Sequence, residues 1–241
     1  MTLTDKTILI TGAARRLGKA LAIACAKQGA DIVLHYNSSQ SEAEEVRDQV
    51  HLLGRDCLIL KADLADPQQV ERMMSTAVAK TNLYGLVNNA SIFKSMGFMD
   101  TTLPDWNEHI AVNLTTPFLL TQHFARHYTL AETGRVLNLV DWRALRPGRD
   151  HFPYTISKSG LVALTKSTAL QLAPRINVNA IALGAILPPV GQPEDDRLIK
   201  NVPQKRWAEL DEFTRTALFL LDGPDYITGE VIHLDGGRHL V

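Results

Sequence analysis

Short apolar runs alternate along the chain with longer segments whose apolar residues recur at helical spacing. The strand-like runs are Thr7–Ile10, Asp31–His35, Cys57–Lys61, Leu83–Asn88, Arg135–Val140, Ile176–Ala182 and Val231–Leu234. The helix-like segments are Arg16–Gln28, Ser41–Leu53, Pro67–Lys80, Pro104–Tyr128, Tyr154–Leu172 and Asp211–Leu221. Alternation of this kind is typical of a parallel sheet that carries helices on both faces. We therefore predict an α/β fold with about seven strands.

No repeat or low-complexity linker divides the 241 residues, a length near the upper end for one hydrophobic core. We expect a single domain, residues 1–241. The one long irregular stretch, residues 187–207, is rich in proline and follows the sixth predicted strand. Loops of that length in compact domains are usually functional or disordered. This segment is a candidate lid over a substrate site, and a mobile surface excursion is the alternative.

Composition and charge argue against several classes of function. The formal net charge of −1 gives no reason to expect a nucleic acid or an anionic membrane as partner. The sequence shows no signal peptide and no long apolar span, so we expect a cytoplasmic location. The eight histidines lack metal-ligand spacing and the two cysteines cannot form a disulfide framework. We predict that no metal is bound.

A glycine-rich turn is the first feature that points to a ligand. Thr11-Gly12-Ala13-Ala14-Arg15-Arg16-Leu17-Gly18 follows the first strand-like run directly and opens the first helical segment. A strand, a tight glycine turn and a helix N-terminus together suit a dinucleotide, because backbone N–H groups then face its phosphates. For this segment taken alone, an ordinary turn between a strand and a helix is the alternative.

A tyrosine and a lysine in Tyr154-Thr155-Ile156-Ser157-Lys158 form the second such feature. Residues four apart on a helix share one face, so the ammonium group can lie near the phenol. A nearby positive charge favours phenolate, and we expect it to lower the pKa of Tyr154 toward working pH. Tyr154 is then a candidate proton donor at a carbonyl or imine. A surface pair without function is the alternative.

Taken together, these segments resemble the short-chain dehydrogenase/reductase family over nearly the whole chain. The glycine turn matches the family's Thr-Gly-x-x-x-Gly-x-Gly pattern, except that Arg16 stands in place of the middle glycine. Asn88-Asn89-Ala90 and Asp235-Gly236-Gly237 match two further signatures, and Asn113 falls where the family keeps a catalytic asparagine. The resemblance implies a Rossmann-type, doubly wound parallel sheet, an NADP(H)-binding reductase domain, and catalysis by Asn113, Tyr154 and Lys158.

Several departures from the family pattern resemble its pteridine reductase subfamily. Asp141 stands where the family usually has a catalytic serine, thirteen positions before Tyr154, and Ser91 replaces a glycine after Asn-Asn-Ala. His35-Tyr36 and the ending Arg238-His239-Leu240 are also similar to that group. The implied activity is NADPH-dependent reduction of a dihydropteridine, such as dihydromonapterin, dihydrobiopterin or dihydrofolate, to its tetrahydro form.

NADPH is the expected cofactor. The turn faces the adenosine ribose, where the Arg16 guanidinium suits a 2′-phosphate, and no acid follows the second strand to hold a ribose hydroxyl. Asp63 is expected at the adenine, with a cap for the following helix as the alternative. The resemblance implies cofactor binding by Gly12, Arg15, Arg16, Leu17, Gly18, His35, Tyr36, Ser38, Ser39, Asp63, Leu64, Asn88, Ala90, Ser91, Tyr154, Lys158, Gly184 and Ile186.

Asp141 carries the chemistry that distinguishes the chain from its relatives. A carboxyl group can exchange protons, and reduction of a C=N bond requires a proton on the ring nitrogen. A structural carboxylate in a damaged site is the alternative. The resemblance also places Phe93 against the flat face of a pterin, while Trp142 and Tyr36 receive no role toward the substrate. The implied substrate contacts are Ser91, Phe93, Asp141, Tyr154 and Leu187.

Two other interpretations stay open. A ketone or 3-oxoacyl-thioester reductase of the same family is one, although it lacks the usual serine. A non-catalytic NADP(H)-sensing protein is the other, since a fold does not fix a function. The apolar residues of Pro104–Tyr128 and Tyr154–Leu172, together with the resemblance, also imply a homotetramer paired through these helices.

Overall fold

The computed structural model of the chain describes residues 3–188 and 195–241. Within them, seven strands form one parallel sheet in the order β3-β2-β1-β4-β5-β6-β7. The strands are β1 (Thr7–Ile10), β2 (Asp31–Tyr36), β3 (Cys57–Lys61), β4 (Leu83–Asn88), β5 (Gly134–Asp141), β6 (Ile176–Leu183) and β7 (Val231–Leu234). The predicted α/β, Rossmann-type doubly wound sheet is confirmed.

Helices cover both faces of the sheet. They are α1 (Arg16–Lys27), α2 (Gln40–Leu52), α3 (Pro67–Lys80), α4 (Leu103–Ile110), α5 (Thr116–His127), α6 (Phe152–Leu172), α7 (Asp196–Ile199) and α8 (Leu210–Asp222). Side chains of β1 alternate between two apolar cores, as strand geometry requires. Ile8 and Ile10 belong to the core beneath α1 and α8, and Leu9 belongs to the core beneath α3 and α5.

Most element boundaries agree with the sequence prediction within two residues, but two regions differ. The predicted helix Pro104–Tyr128 is interrupted, because Ala111–Thr115 forms a π-helical segment between α4 and α5. Such segments often lie at functional sites, and this one holds Asn113. The predicted irregular stretch 187–207 contains the short helix α7, while its residues 189–194 lie outside the described residues.

The strand order reverses direction between β1 and β4, since β2 and β3 lie on one side and β5 to β7 on the other. In open parallel sheets, ligands bind beyond the carboxyl ends of the strands at this point of reversal. The glycine-rich turn follows β1 there, and Asn89 to Ser91 follow β4. Asp141 ends β5 on the same edge. The fold thus brings the predicted site residues to one edge of the sheet.

Candidate active site

The glycine-rich turn packs tightly against the end of β4. Gly12 has a φ of +63°, which glycine adopts without strain. A Cβ on Gly18 would lie 2.4 Å from the Gly12 carbonyl oxygen, so only glycine fits there. The Asn89 Nδ2 amide donates hydrogen bonds to the carbonyl oxygens of Thr11 (2.6 Å) and Gly12 (3.2 Å). Asn89, which the sequence analysis did not assign, therefore fixes the turn.

Arg16 has a left-handed backbone conformation, with a φ of +52°, of the kind that glycine adopts without strain. A left-handed conformation costs a non-glycine residue about 1–2 kcal/mol, so the position of its side chain is maintained at the expense of stability. The Arg16 Nη2 donates to the carbonyl oxygen of Pro188 at 2.8 Å, and Arg15 pairs with Glu42. Arg16 thus contacts the segment after β6, and its role at a 2′-phosphate stays a prediction.

His35 supports the turn from behind. It is buried within β2, and its Nδ1 accepts a hydrogen bond from the Gly12 N–H at 3.0 Å. Because Nδ1 accepts, the proton lies on Nε2, which donates to the carbonyl oxygen of Ala62 at 3.0 Å. Burial lowers the pKa of His35 to about 4, against the favourable effects of Ala62 and Asp63. A neutral imidazole is therefore part of the turn's framework.

A groove of about 540 Å³ runs along the turn and the ends of β2, β3 and β4. Asp63 lines it and accepts a hydrogen bond from the Ala65 N–H. The cap of α3 is Asp66, so the alternative role of Asp63 as that cap is wrong. The predicted cofactor residues that line this groove are Gly12, Arg15, Arg16, Leu17, Gly18, His35, Tyr36, Ser38, Ser39, Asp63, Leu64, Ala90 and Ser91.

The side chain of Asn88 does not line the groove, so its role at the cofactor, which stays a prediction, could involve only its backbone. Its side chain is buried at the end of β4 and donates to the Asn138 Oδ1 at 2.7 Å. Asn138 in turn donates to the Thr165 hydroxyl on α6. Spacing in the Asn-Asn-Ala motif could not show which of the two asparagines faces the groove, because consecutive residues after a strand point in opposite directions.

Asn113 organises the segment that follows β4. Its Oδ1 accepts from the Ile92 N–H at 2.9 Å and from the Ser91 hydroxyl at 3.1 Å. Its Nδ2 donates to the Ile92 carbonyl oxygen and to the Ser157 hydroxyl on α6. All four hydrogen-bonding positions of the amide are used. Asn113 is buried and its side chain positions the loop and α6.

Asp141 and Tyr154 form a partly buried hydrogen-bonded pair beside the end of β5. The Tyr154 hydroxyl donates to Asp141 Oδ2 at 3.2 Å, and Asp141 Oδ1 accepts from the Arg143 N–H at 2.8 Å. Burial raises the pKa of Asp141, although the Arg143 N–H and charge and the Lys158 charge oppose the shift. Burial and the charge of Asp141 raise the pKa of Tyr154 well above its ordinary value.

The expected lowering of the Tyr154 pKa by Lys158 is therefore wrong for this structure. The Lys158 ammonium lies 5.8 Å from the Tyr154 ring centroid and donates to the Leu139 carbonyl oxygen at 2.7 Å. Burial lowers the pKa of Lys158 itself to about 8, while Asp141 acts to raise it. The three groups are coupled, and the carboxylate rather than the ammonium is the nearer charge on the phenol.

A second cavity, of about 440 Å³, lies beside this pair. It shares Arg16, Leu17, Asn89 and Ser91 with the groove, so the two form one elongated cleft. The predicted residues that line the second cavity are Ser91, Phe93, Asp141, Tyr154, Lys158, Gly184, Ile186 and Leu187. A Cβ on Gly184 would lie 2.6 Å from the Asp235 Cα, so close packing of β6 against the segment after β7 explains this glycine.

Phe93 presents an aromatic face at this cavity and is 49% exposed. His151 stacks on its ring with centroids 3.9 Å apart, and the Tyr154 ring meets it edge-on at 4.7 Å. The sequence analysis missed His151, as well as Trp142, Arg143 and Arg238, which also line the cavity. The available signals were proximity to Asp141 for Trp142 and Arg143, and position after the Asp-Gly-Gly turn for Arg238.

The cleft has the shape and chemistry that a dinucleotide needs. Its long arm lies along a glycine turn and the start of α1, where backbone N–H groups suit phosphates. Its second arm ends at a tyrosine, a lysine and a carboxyl group, which can hold or move protons. Fold and site together define a nucleotide-dependent oxidoreductase.

The chain belongs to the short-chain dehydrogenase/reductase family. The family model described as enoyl-(acyl carrier protein) reductase matches residues 12–239. The 3-oxoacyl-[acyl-carrier-protein] reductase FabG of Staphylococcus aureus is 32% identical over 244 residues, which span 98% of each chain.

Two solved structures match nearly all of the fold. FolM alternative dihydrofolate reductase 1 from Brucella canis, complexed with NADP, is 34% identical with a TM-score of 0.93, covering 100% of this chain and 96% of its own. A short-chain dehydrogenase/reductase from Serratia marcescens is 32% identical with a TM-score of 0.93, covering 99% and 100%. The relatives thus include both a 3-oxoacyl-[acyl-carrier-protein] reductase and an alternative dihydrofolate reductase.

The described residues contain neither a helix that could span a membrane nor a cluster of side chains that could hold a metal ion. None of their helices is both long enough and apolar enough to cross a membrane. No group of three or more histidine, cysteine, aspartate or glutamate side chains within them is arranged to hold a metal ion.

Proposed function

We propose that the protein is an NADPH-dependent reductase of dihydropteridines such as dihydromonapterin, dihydrobiopterin or dihydrofolate. The observation that carries this proposal is the partly buried hydrogen bond between Tyr154 and Asp141. Both groups have raised pKa values and border a cavity with an aromatic face. A flat, nitrogen-rich ring that accepts a proton fits such a site better than a flexible ketone does.

NADPH suits the elongated cleft and supplies the hydride when bound. The glycine turn, held by His35 and Asn89, would receive the phosphates, and Ser38 and Ser39 line the far end of the groove. The NADP bound in the Brucella canis structure supports this assignment. The positive charge of Lys158 would help to hold the nicotinamide end of the cofactor in this half of the cleft.

Asp141 and Tyr154 would together supply the proton for the reduction. Burial raises the pKa of Asp141, so its protonated form is more accessible near neutral pH than that of an ordinary aspartate. The Tyr154 hydroxyl carries its proton at working pH and points at Asp141. Asp141 therefore replenishes or directly delivers the proton that the ring nitrogen takes up. Ser91 and Phe93 orient the ring, and the segment 187–207 would close over it.

A second candidate is reduction of a 3-oxoacyl thioester, because FabG relatives match the chain along nearly its full length. Asp141 in place of a serine argues against it, since a serine hydroxyl always carries the proton that it donates to a ketone oxygen, whereas Asp141 can donate only in its protonated form. A non-catalytic sensor would not require the Tyr154–Asp141 pair. We also propose a cytoplasmic homotetramer paired through α4, α5 and α6. Phe118 on α5 and Ile156 and Leu170 on α6 are exposed apolar residues that suit such an interface.

The test is NADPH oxidation with dihydrobiopterin, dihydromonapterin, dihydrofolate and an acetoacetyl thioester. We expect turnover of the pterins, and a loss of about 10²-fold or more in Asp141→Ser, the size of a general acid's contribution. Asp48→Ser, on the exposed part of α2, is the matched control. Turnover of the thioester alone refutes the proposal, and full pterin turnover by Asp141→Ser refutes the role of Asp141.

A further inference from the structure

Trp142 lies between two arginine side chains at the wall of the second cavity. The Arg143 Cζ is 4.8 Å and the Arg238 Cζ is 4.2 Å from its ring. Both arginines and the indole line the cavity beside Asp141. An indole face stabilises a guanidinium and keeps it in a defined plane. We name Trp142, Arg143 and Arg238 the arginine wall.

The two guanidinium groups differ in how their charge is compensated. The Arg143 Nη1 lies 3.7 Å from Asp141 Oδ1, and its Nη2 lies 3.1 Å from Asp150 Oδ2. Arg238 forms no ion pair with any carboxylate in the part of the chain that the structure describes. Its Nη1 donates to the Leu198 carbonyl oxygen at 2.7 Å. A guanidinium has five N–H groups, so Arg238 retains donors, and the charges of Asp141, Asp150 and Asp235 act on it only from beyond ion-pair distance.

The backbone of Arg238 is held in place by the turn that follows β7. The buried Asp235 accepts hydrogen bonds from the N–H groups of Gly237 and His239, on either side of Arg238. The Arg146 guanidinium donates to the Arg238 carbonyl oxygen at 3.3 Å. Burial and the charge of Arg143 lower the pKa of Arg238, so an anion beside it would relieve an unfavourable charge.

The cavity as a whole has an excess of positive charge. Arg16, Arg143, Lys158 and Arg238 line it, against the carboxylates of Asp141 and Asp150. A partly buried cleft lined by charges of one sign attracts a ligand of the opposite charge more strongly than an exposed surface does. Two of these guanidinium groups, those of Arg16 and Arg238, form no ion pair with a carboxylate of the described residues. Arg16 is the residue expected at the 2′-phosphate of NADPH, which leaves Arg238 to match the single charge of a carboxylate, to which arginine can bind through two parallel hydrogen bonds.

We propose that Arg238, stacked on Trp142, binds a carboxylate that the substrate carries outside its reducible ring. This inference rests on the proposed function and narrows it. Among dihydropteridines it favours dihydrofolate, whose side chain ends in carboxylates, over dihydrobiopterin and dihydromonapterin, whose side chains are neutral. Arg143, paired with Asp141 and Asp150, instead belongs to the proton-supplying part of the site.

Steady-state kinetics at saturating NADPH, with dihydrofolate and dihydrobiopterin as substrates, test the inference. In Arg238→Gln we expect KM for dihydrofolate to rise about tenfold or more, the size of a lost charge-assisted hydrogen bond. The kcat for dihydrofolate and the KM for dihydrobiopterin should change little. Arg238→Lys should retain part of the dihydrofolate affinity. Arg215→Gln, an exposed arginine on α8, is the matched control.

The outcomes separate the inference from the function on which it rests. An equal rise of both KM values in Arg238→Gln would show that Arg238 only supports Trp142, and would overturn the inference while dihydropteridine reduction stands. A lower KM for a phosphorylated dihydroneopterin than for dihydrofolate would also overturn it, in favour of phosphate. Wild-type protein that reduces neither pterin refutes the proposed function and the inference together. A thermal midpoint of Arg238→Gln close to that of wild type shows that the fold is intact.

Discussion

The two arms of the cleft are built in opposite ways. In the groove beside the glycine turn, the neutral His35 and Asn89 satisfy backbone groups at close range. In the second cavity, charged or proton-bearing groups are buried together, and burial moves the pKa values of Asp141, Tyr154 and Lys158 away from their ordinary values. Shifted pKa values cluster where protons move during catalysis. The first arm is therefore organised to bind, and the second to exchange protons.

Removing the Tyr154 hydroxyl should produce the largest change in activity, because the substitution alters only the proton-exchanging arm. In Tyr154→Phe we expect kcat for a dihydropteridine to fall about 10²–10⁴-fold, the range for loss of a general acid. The dissociation constant for NADPH, measured by fluorescence titration, should change little. That combination is the pattern of a lost transition-state interaction.

Two other outcomes for Tyr154→Phe would contradict the division of roles between the two arms. A large loss of NADPH affinity in Tyr154→Phe would mean that the phenol also organises the binding arm. An unchanged kcat would mean that Asp141 alone supplies the proton. Thr155→Val, a neighbouring buried substitution on α6, is the control for packing effects.

The fold could be predicted from the sequence because strand and helix periodicities are local. Thr7–Ile10 was predicted correctly, and most of the residues predicted to bind the cofactor line the groove, although Asn89, Ile92 and other lining residues were not assigned. The pKa of Tyr154 could not be predicted in this way. Spacing places Lys158 on the same face of α6 as Tyr154, but the packing of α6 against β5 and β6 determines that Asp141 reaches the Tyr154 hydroxyl.

Arg238 and His151 illustrate the same limit. Arg238 reaches Trp142 only because β7 pairs with β6, which pairs with β5. The His151 ring stacks on Phe93, and the backbone of His151 is left-handed with a φ of +54°. No local sequence pattern predicts that conformation. Contacts between elements distant in sequence depend on tertiary packing, and one sequence without that packing leaves them undetermined.

The binding arm can be tested through the pH dependence of stability. His35 has a pKa of about 4 in the folded protein, below the ordinary value of 6.5. The unfolded chain therefore binds a proton that the folded protein does not, and stability falls as pH drops from about 6.5 to 4. Between pH 7 and pH 5 this group should cost roughly 2 kcal/mol of the free energy of unfolding.

Urea unfolding of wild type and His35→Gln at the two pH values measures that contribution. The variant cannot titrate at this position, so its loss of stability between pH 7 and pH 5 should be smaller by that amount. At pH 7 it should be less stable than wild type, because the Gly12 N–H and the Ala62 carbonyl lose well-placed partners. His51→Gln, exposed on α2, is the control. Equal pH dependence in wild type and His35→Gln would show that His35 titrates normally.

The proton-exchanging arm predicts a smaller effect on the alkaline side of the rate profile. Lys158 has a pKa of about 8, so its ammonium loses its proton within the range where activity is measured. We expect kcat/KM to fall above pH 8, by about tenfold for each further unit, since this parameter reports the free enzyme. The charge of Asp141 acts to raise the pKa of Lys158. In Asp141→Asn the residual activity should therefore begin its decline at lower pH than in wild type.

A decline that begins only near pH 10 in wild type would mean that Lys158 is solvated like an ordinary lysine. An unchanged midpoint in Asp141→Asn would mean that Lys158 and Asp141 titrate independently, and the coupling that distinguishes this arm from the glycine turn would be absent.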